Sequence, residues 1–179
     1  MNLPNLITTF RIILIIPFSI ALKLGYNLTA LFLFLIASIS DFLDGYIARK
    51  YNLTTMVGRL LDPLADKILY FTSLYLFLEL KYISAYPVIL IFFREFIAAA
   101  TGPVILMNKN FNIDNILAGR LKNLFQFSST IIIIIFKNSL ISSYLINISA
   151  TITIISVIII YIENFNTFNN SLKSLNLKK

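Results

Sequence analysis

The chain has 179 residues, 58% of them apolar and 13% charged, with a mean hydropathy of +0.85. A single soluble core is excluded, because so short a chain leaves much of its surface in water and could not hide this much Ile, Leu and Phe. It contains neither Cys nor His, which excludes disulfides, thiolate zinc sites, Cys nucleophiles and Ser/His relays, so any chemistry runs on carboxylates, Lys, Arg, Tyr or a bound metal. The net charge of +7 suits an anionic cytoplasmic leaflet or a phosphate-bearing substrate. Nucleic acid is not expected as a partner, since no basic run is interleaved with exposed aromatics.

Charged or Asn-rich breaks divide the hydrophobic profile into six stretches, at about 8–24, 28–48, 61–80, 85–107, 116–136 and 139–163. Each is near the ~20 residues that a helix needs to cross the hydrocarbon core. The expected fold is therefore all-α, an integral membrane bundle of six transmembrane helices forming one domain over 1–163. The segment before the first stretch mixes polar and apolar residues around Pro4 and predicts a short N-terminal interfacial segment. The first stretch lacks a basic start and a small-residue cleavage site, so it is read as a retained helix. Pro63 is expected in the first turn of the third helix, where its missing N–H is not needed. The Ser and Thr of the sixth stretch can bond their own backbone and are assigned to packing. The Asn/Ser/Lys-rich residues 164–179 read as a polar cytoplasmic tail.

Orientation follows from the cations close to the helix ends. With the N-terminus inside, Arg11, Arg49, Lys50, Arg59, Lys67, Lys109, Arg120, Lys122, Lys173, Lys178 and Lys179 are cytoplasmic, against Lys23, Lys81 and Lys137 outside; Arg94 alone falls deep in a span. Both termini are expected in the cytoplasm, on the same side as the acidic residues between the second and third helices.

Residues 41–66 read DFLDGYIARKYNLTTMVGRLLDPLAD. Asp41 and Asp44 are spaced i, i+3 at the end of one helix, and Asp62 and Asp66 i, i+4 at the start of the next, so each pair lies on one face. Antiparallel neighbours joined by a short connection would present four carboxylates to one volume. Such a cluster repels itself or takes up protons unless a cation binds, and an all-oxygen set selects a hard ion such as Mg²⁺ or Mn²⁺. Two ions balance the charge better than one. Gly45, Ala48 and Gly58 leave bare helix surface for close approach of a ligand, and Arg49 can meet phosphate oxygens as a fork. The alternative is that these Asp merely solvate a loop or cap the third helix.

The string Asp41, Asp44, Gly45, Ala48, Arg49, Gly58, Asp62, Asp66 resembles the signature of the CDP-alcohol phosphatidyltransferases. LPNLITTFR near the start resembles the opening of that family's phosphatidylglycerophosphate synthase and cardiolipin synthase branches. The resemblance implies a six-helix enzyme, commonly a homodimer, in a bacterial inner membrane with its active site on the cytoplasmic side. It joins an alcohol to the phosphatidyl group of CDP-diacylglycerol and releases CMP. The resemblance also implies that Asp41, Asp44 and Asp62 bind metal, and that Asp66 both binds metal and acts as general base. Gly45, Ala48, Arg49 and Gly58 would then hold the CDP-lipid. Asn5 and Arg11 either close over the nucleotide or diphosphate, or belong to an interfacial segment with a snorkelling Arg.

Arg94 and Glu95 stand in mid-span, where an ionisable side chain is expensive. As sequence neighbours they are expected to point apart and not to satisfy each other, serving either a polar network or the substrate. GRLKN at the start of the fifth stretch, like Glu95 after Arg94, resembles the pattern of the phosphatidylglycerophosphate synthases, and Arg94, Arg120 and Lys122 are the cations available as acceptor-binding candidates; ordinary positive-inside anchoring is the alternative for the last two. Gln126, one turn after Lys122, adds to a polar pocket. Gly102 stands where that branch usually carries Arg. The acceptor is expected to be glycerol 3-phosphate, with phosphatidylglycerol, as in a CMP-forming cardiolipin synthase, as the alternative. A cation site in a transporter is the reading from another class.

Overall fold

In a computed structural model the described residues form six α-helices: α1 (Leu3–Lys23), α2 (Asn27–Lys50), α3 (Met56–Glu79), α4 (Ala85–Leu106), α5 (Asn115–Phe136) and α6 (Leu140–Glu163). The structure describes residues 3–50, 56–106 and 115–163, with side chains over 6–40, 64–98 and 121–159 and at Ile162. The tail 164–179 lies outside the described residues.

Each expected stretch corresponds to one helix, but α1 and α3 begin five residues early. Hydropathy falls where Asn, Thr, Arg or Asp enter, yet those residues remain compatible with helical backbone. The helix therefore already runs from Leu3 where a separate entry segment was expected, with Pro4 in its first turn. Pro63 is likewise not in the first turn of α3 but two turns inside it. Pro17, on the exposed face of α1, is also interior to its helix. Such prolines are tolerated where neighbouring helices help to satisfy the freed backbone group.

Left-handed residues follow the ends of α1, α3 and α5. At the end of α1, Gly25 (φ 80°) permits paired bonds from Tyr26 N to Ala21 O at 2.9 Å and from Gly25 N to Leu22 O at 3.1 Å. Lys81 takes the same place after α3 with φ 58°, where Tyr82 N donates to Phe77 O at 2.8 Å and Lys81 N to Leu78 O at 3.0 Å. Lys137 (φ 52°) ends α5 with one bond to Ile133 O at 2.8 Å. Ser139 then caps α6, accepting from the Ser142 backbone N–H at 3.2 Å.

Two compact units divide the chain. The first comprises Met1–Ile83 with Thr130–Ser142, and the second Ser84–Ser129 with Ser143–Lys179. In the first, α1 packs on α2 and α3, and α2 meets α3. The buried stripe of α1 is Thr8, Arg11, Ile15, Phe18 and Leu22, spaced by three and four residues as a packed helix face requires. Phe18 faces Phe34 of α2 with ring centroids 5.9 Å apart. Leu69, Leu74 and Phe77 of α3 complete this apolar interior. Lys23 and Glu79, at the ends of α1 and α3, form an exposed ion pair at 2.9 Å. In the second unit the buried residues are mostly polar: Arg94, Glu95, Lys122, Gln126, Ser129, Ser149, Thr153 and Ser156, beside Ile91, Ile146 and Ala150.

Outward faces carry large apolar side chains, among them Phe10, Ile16, Phe32, Phe93, Phe96, Ile155 and Ile162. Among the described residues, α1 over Leu6–Lys23 and α6 over Leu140–Ile159 are long and apolar enough to cross a membrane. The apolar runs Asn27–Ser40 and Leu121–Phe136 are shorter. Among the described residues there are six helices, two of which meet the criterion of length and hydropathy for a membrane span.

Candidate functional site

Three helices of the first unit converge on Arg11. Its Nη1 donates to Asp66 Oδ1 at 2.8 Å and its Nε to Ser40 Oγ at 3.5 Å. Ser40 in turn donates to Ala37 O at 2.7 Å. Arg11 is fully buried while the Asp66 side chain is 30% exposed. The alternative of a snorkelling Arg is therefore corrected, since Arg11 is fully buried on the packed stripe of α1 and its guanidinium is bonded to Asp66 and Ser40. Asp66 offers one oxygen to this cation and remains partly open to solvent. Ser40 immediately precedes Asp41 in α2.

The other residues of the expected centre are placed by their helices alone. Asn5 is in α1; Asp41, Asp44, Gly45, Ala48 and Arg49 are in α2; Gly58 and Asp62 are in α3; Arg120 is in α5. Their side chains lie outside the described residues. Among the described residues no group of three His, Cys, Asp or Glu could hold a metal ion.

The second unit holds a buried charged cluster. Arg94 Nη1 donates to Glu95 Oε1 at 2.9 Å, Nη2 to Ser156 Oγ at 2.8 Å and Nε to the Thr153 carbonyl at 3.1 Å. The same Glu95 oxygen accepts from Lys122 Nζ at 2.5 Å. Gln126 Nε2 reaches Thr153 Oγ1 at 3.3 Å. Arg94, Glu95 and Lys122 are each at most 8% exposed. The expectation that Arg94 and Glu95 point apart is overturned. Residues 94 and 95 follow buried Ile91 by three and four positions, so both border one wide buried face, and the long Arg side chain closes the remaining angle.

Sequence reading missed Ser156 and Thr153, which were assigned to packing. Ser156 does bond its own backbone, donating to Thr153 O at 2.7 Å, but its oxygen also receives Arg94. The signal was a polar pair three apart on the buried face of a helix rich in Ser and Thr, and a buried Arg that needed acceptors.

A family model described as CDP-alcohol phosphatidyltransferase matches residues 1–162. A protein of Rickettsia bellii is 46% identical over 102 residues, covering 55% of this chain and 56% of that protein. A Bacillus subtilis protein is 39% identical over 129 residues, covering 60% and 67%. One from Aquifex aeolicus is 37% identical over 128 residues, covering 70% and 71%. All three are named CDP-diacylglycerol--glycerol-3-phosphate 3-phosphatidyltransferase. The match spans a little over half the length of the Rickettsia relatives.

Proposed function

Because the chain belongs to the CDP-alcohol phosphatidyltransferase family, we propose that it transfers the phosphatidyl group of CDP-diacylglycerol to glycerol 3-phosphate and releases CMP. The observation that carries this reading is the family match over 1–162, joined to relatives whose names specify that donor and acceptor. Asp66 takes the proton of the acceptor hydroxyl, whose oxygen forms a bond to the phosphatidyl phosphorus. The bond from that phosphorus to the bridging oxygen breaks, and CMP leaves with the electron pair. The Arg11 contact holds Asp66 in one orientation for this task.

Asp66 suits a hard divalent cation in the chemistry of its donor, a partly exposed carboxylate with one oxygen steadied by Arg11. Asp41, Asp44, Asp62 and Asp66 would hold two Mg²⁺ or Mn²⁺ ions, which supply neutralisation of the diphosphate charge when bound. Asn5, Gly45, Ala48, Arg49 and Gly58 line the CDP-lipid in this reading, and Arg94, Arg120 and Lys122 supply positive charge for the acceptor phosphate. The bundle has six spans, sits as a homodimer in a bacterial inner membrane, and keeps both termini in the cytoplasm. Outward apolar side chains on all six helices support the lipid setting.

The test is release of labelled CMP from CDP-diacylglycerol by purified protein, with and without Mg²⁺ or Mn²⁺, over a panel of acceptors. Glycerol 3-phosphate should be preferred. Preference for phosphatidylglycerol would move the protein to the cardiolipin synthase reading, and metal-independent turnover would remove the metal assignment. For orientation, single cysteines at Asn110 and Ser174 should resist a membrane-impermeant thiol reagent in intact cells. Labelling at both from outside would reverse the topology.

A further inference from the structure

Glu95 has no part in the roles assigned so far, yet it stands between two cations in the buried cluster. Its Oε1 accepts from Arg94 Nη1 at 2.9 Å and from Lys122 Nζ at 2.5 Å. Arg94 is itself fixed, because its other two nitrogens are held by α6, through the Thr153 carbonyl and Ser156 Oγ. Every nitrogen of Arg94 is thus engaged within the protein, in a planar fork with little freedom to re-aim at a ligand. Lys122 differs: its ammonium is a compact charge on a flexible four-carbon stem, tied to Glu95 at 2.5 Å. The order of constraint runs from α6 to Arg94, from Arg94 to Glu95, and from Glu95 to Lys122. Two cations and one carboxylate leave a net charge of one positive, enough to favour an anion and less self-repelling than a bare cationic pair.

We propose that Glu95 is a positioning residue that sets Lys122 for contact with the phosphate of the acceptor, and that Arg94, while adding to the positive charge there, acts through Glu95 without touching the acceptor. This rests on the phosphatidyltransferase reading. The roles of the three charges then divide: Lys122 touches the phosphate, Glu95 fixes where its ammonium sits, and Arg94 fixes Glu95 against α6.

A double-mutant cycle tests it, using the full chain in detergent with CDP-diacylglycerol and glycerol 3-phosphate. Glu95→Gln should raise the KM for glycerol 3-phosphate about tenfold, as expected for loss of a charge-assisted hydrogen bond. The effect should fall on that KM much more than on kcat or on the KM for CDP-diacylglycerol. Lys122→Met should raise the same KM further, and the Glu95→Gln/Lys122→Met pair should be no worse than Lys122→Met alone, because a residue acting only through Lys122 has nothing left to position. Multiplicative effects would overturn the proposal, as would an unchanged KM in Glu95→Gln. If Glu95→Gln does not fold, Glu95→Asp replaces it: retention of the charge should keep the KM within about threefold, and a change confined to kcat would count against positioning. Absence of glycerol 3-phosphate-dependent CMP release from the unaltered protein sinks the function reading and this inference together. Activity there with an additive cycle sinks the inference alone.

Discussion

The two units bury opposite kinds of side chain. In the first, Phe18, Leu22, Phe34, Leu69, Leu74 and Phe77 form an apolar interior, and the buried charge described there is confined to Arg11 facing Asp66. In the second, Arg94, Glu95 and Lys122 sit amid buried Gln, Ser and Thr of α5 and α6. Lipid tails are as apolar as Leu, so helices in a bilayer gain little from hiding apolar surface from one another. They associate instead through close packing and interhelical hydrogen bonds. The first unit relies mainly on packing and the second on bonds. Bonds tolerate less substitution, because removing one partner leaves the other buried without it.

The sharpest break in this contrast is at Asp66. Asp66→Asn should lower turnover at least about a hundredfold through loss of the base. It should also cost about 1–3 kcal/mol, because the carboxylate facing buried Arg11 loses its charge. CMP release and thermal melting in detergent measure the two effects. Next comes a matched pair of buried serines, both of which bond back to their own helix. Ser73 donates only to Leu69 O, at 2.9 Å, whereas Ser156 also receives Arg94. Ser156→Ala should cost about 1.5–2 kcal/mol and Ser73→Ala no more than about 0.5, measured by the same melting. Equal costs would dissolve the contrast between the units. The smallest effect belongs to Lys81, whose φ of 58° is one that glycine adopts without strain. Lys81→Gly should stabilise by about 0.5 kcal/mol, the relieved strain being partly offset by the freer unfolded chain.

The six helices were legible because charged or Asn-rich breaks separate six mainly apolar stretches. Their starts were not, because hydropathy marks where lipid contact ends and not where backbone hydrogen bonding does. Asp66 could be picked out from its i, i+4 relation to Asp62, but its partner lies 55 residues earlier. The buried stripe of α1 has no contrast in the sequence: exposed Leu6, Phe10, Ile13, Ile16 and Ile20 are as apolar as the buried Ile15, Phe18 and Leu22. Arg11 therefore gave no sign of which face it occupied. Arg94 and Glu95 were conspicuous as charges in an apolar stretch. Their contact was missed because helical angles describe where Cβ atoms point, while a guanidinium acts several bonds farther out.

If α4 is one of the membrane spans proposed above, the adjacency of Arg94 and Glu95 bears on how it is inserted. Synthesis delivers α4 before α5 and α6 exist, so Lys122, Thr153 and Ser156 are absent when α4 leaves the ribosome. An Arg at the centre of an inserting helix costs roughly 2.5–3.5 kcal/mol on translocon scales. The next residue along is the one counter-charge that always travels with it. In that case Glu95 offers Arg94 an ion-pair partner before α5 and α6 are made, and the later helices meet a charge already half neutralised.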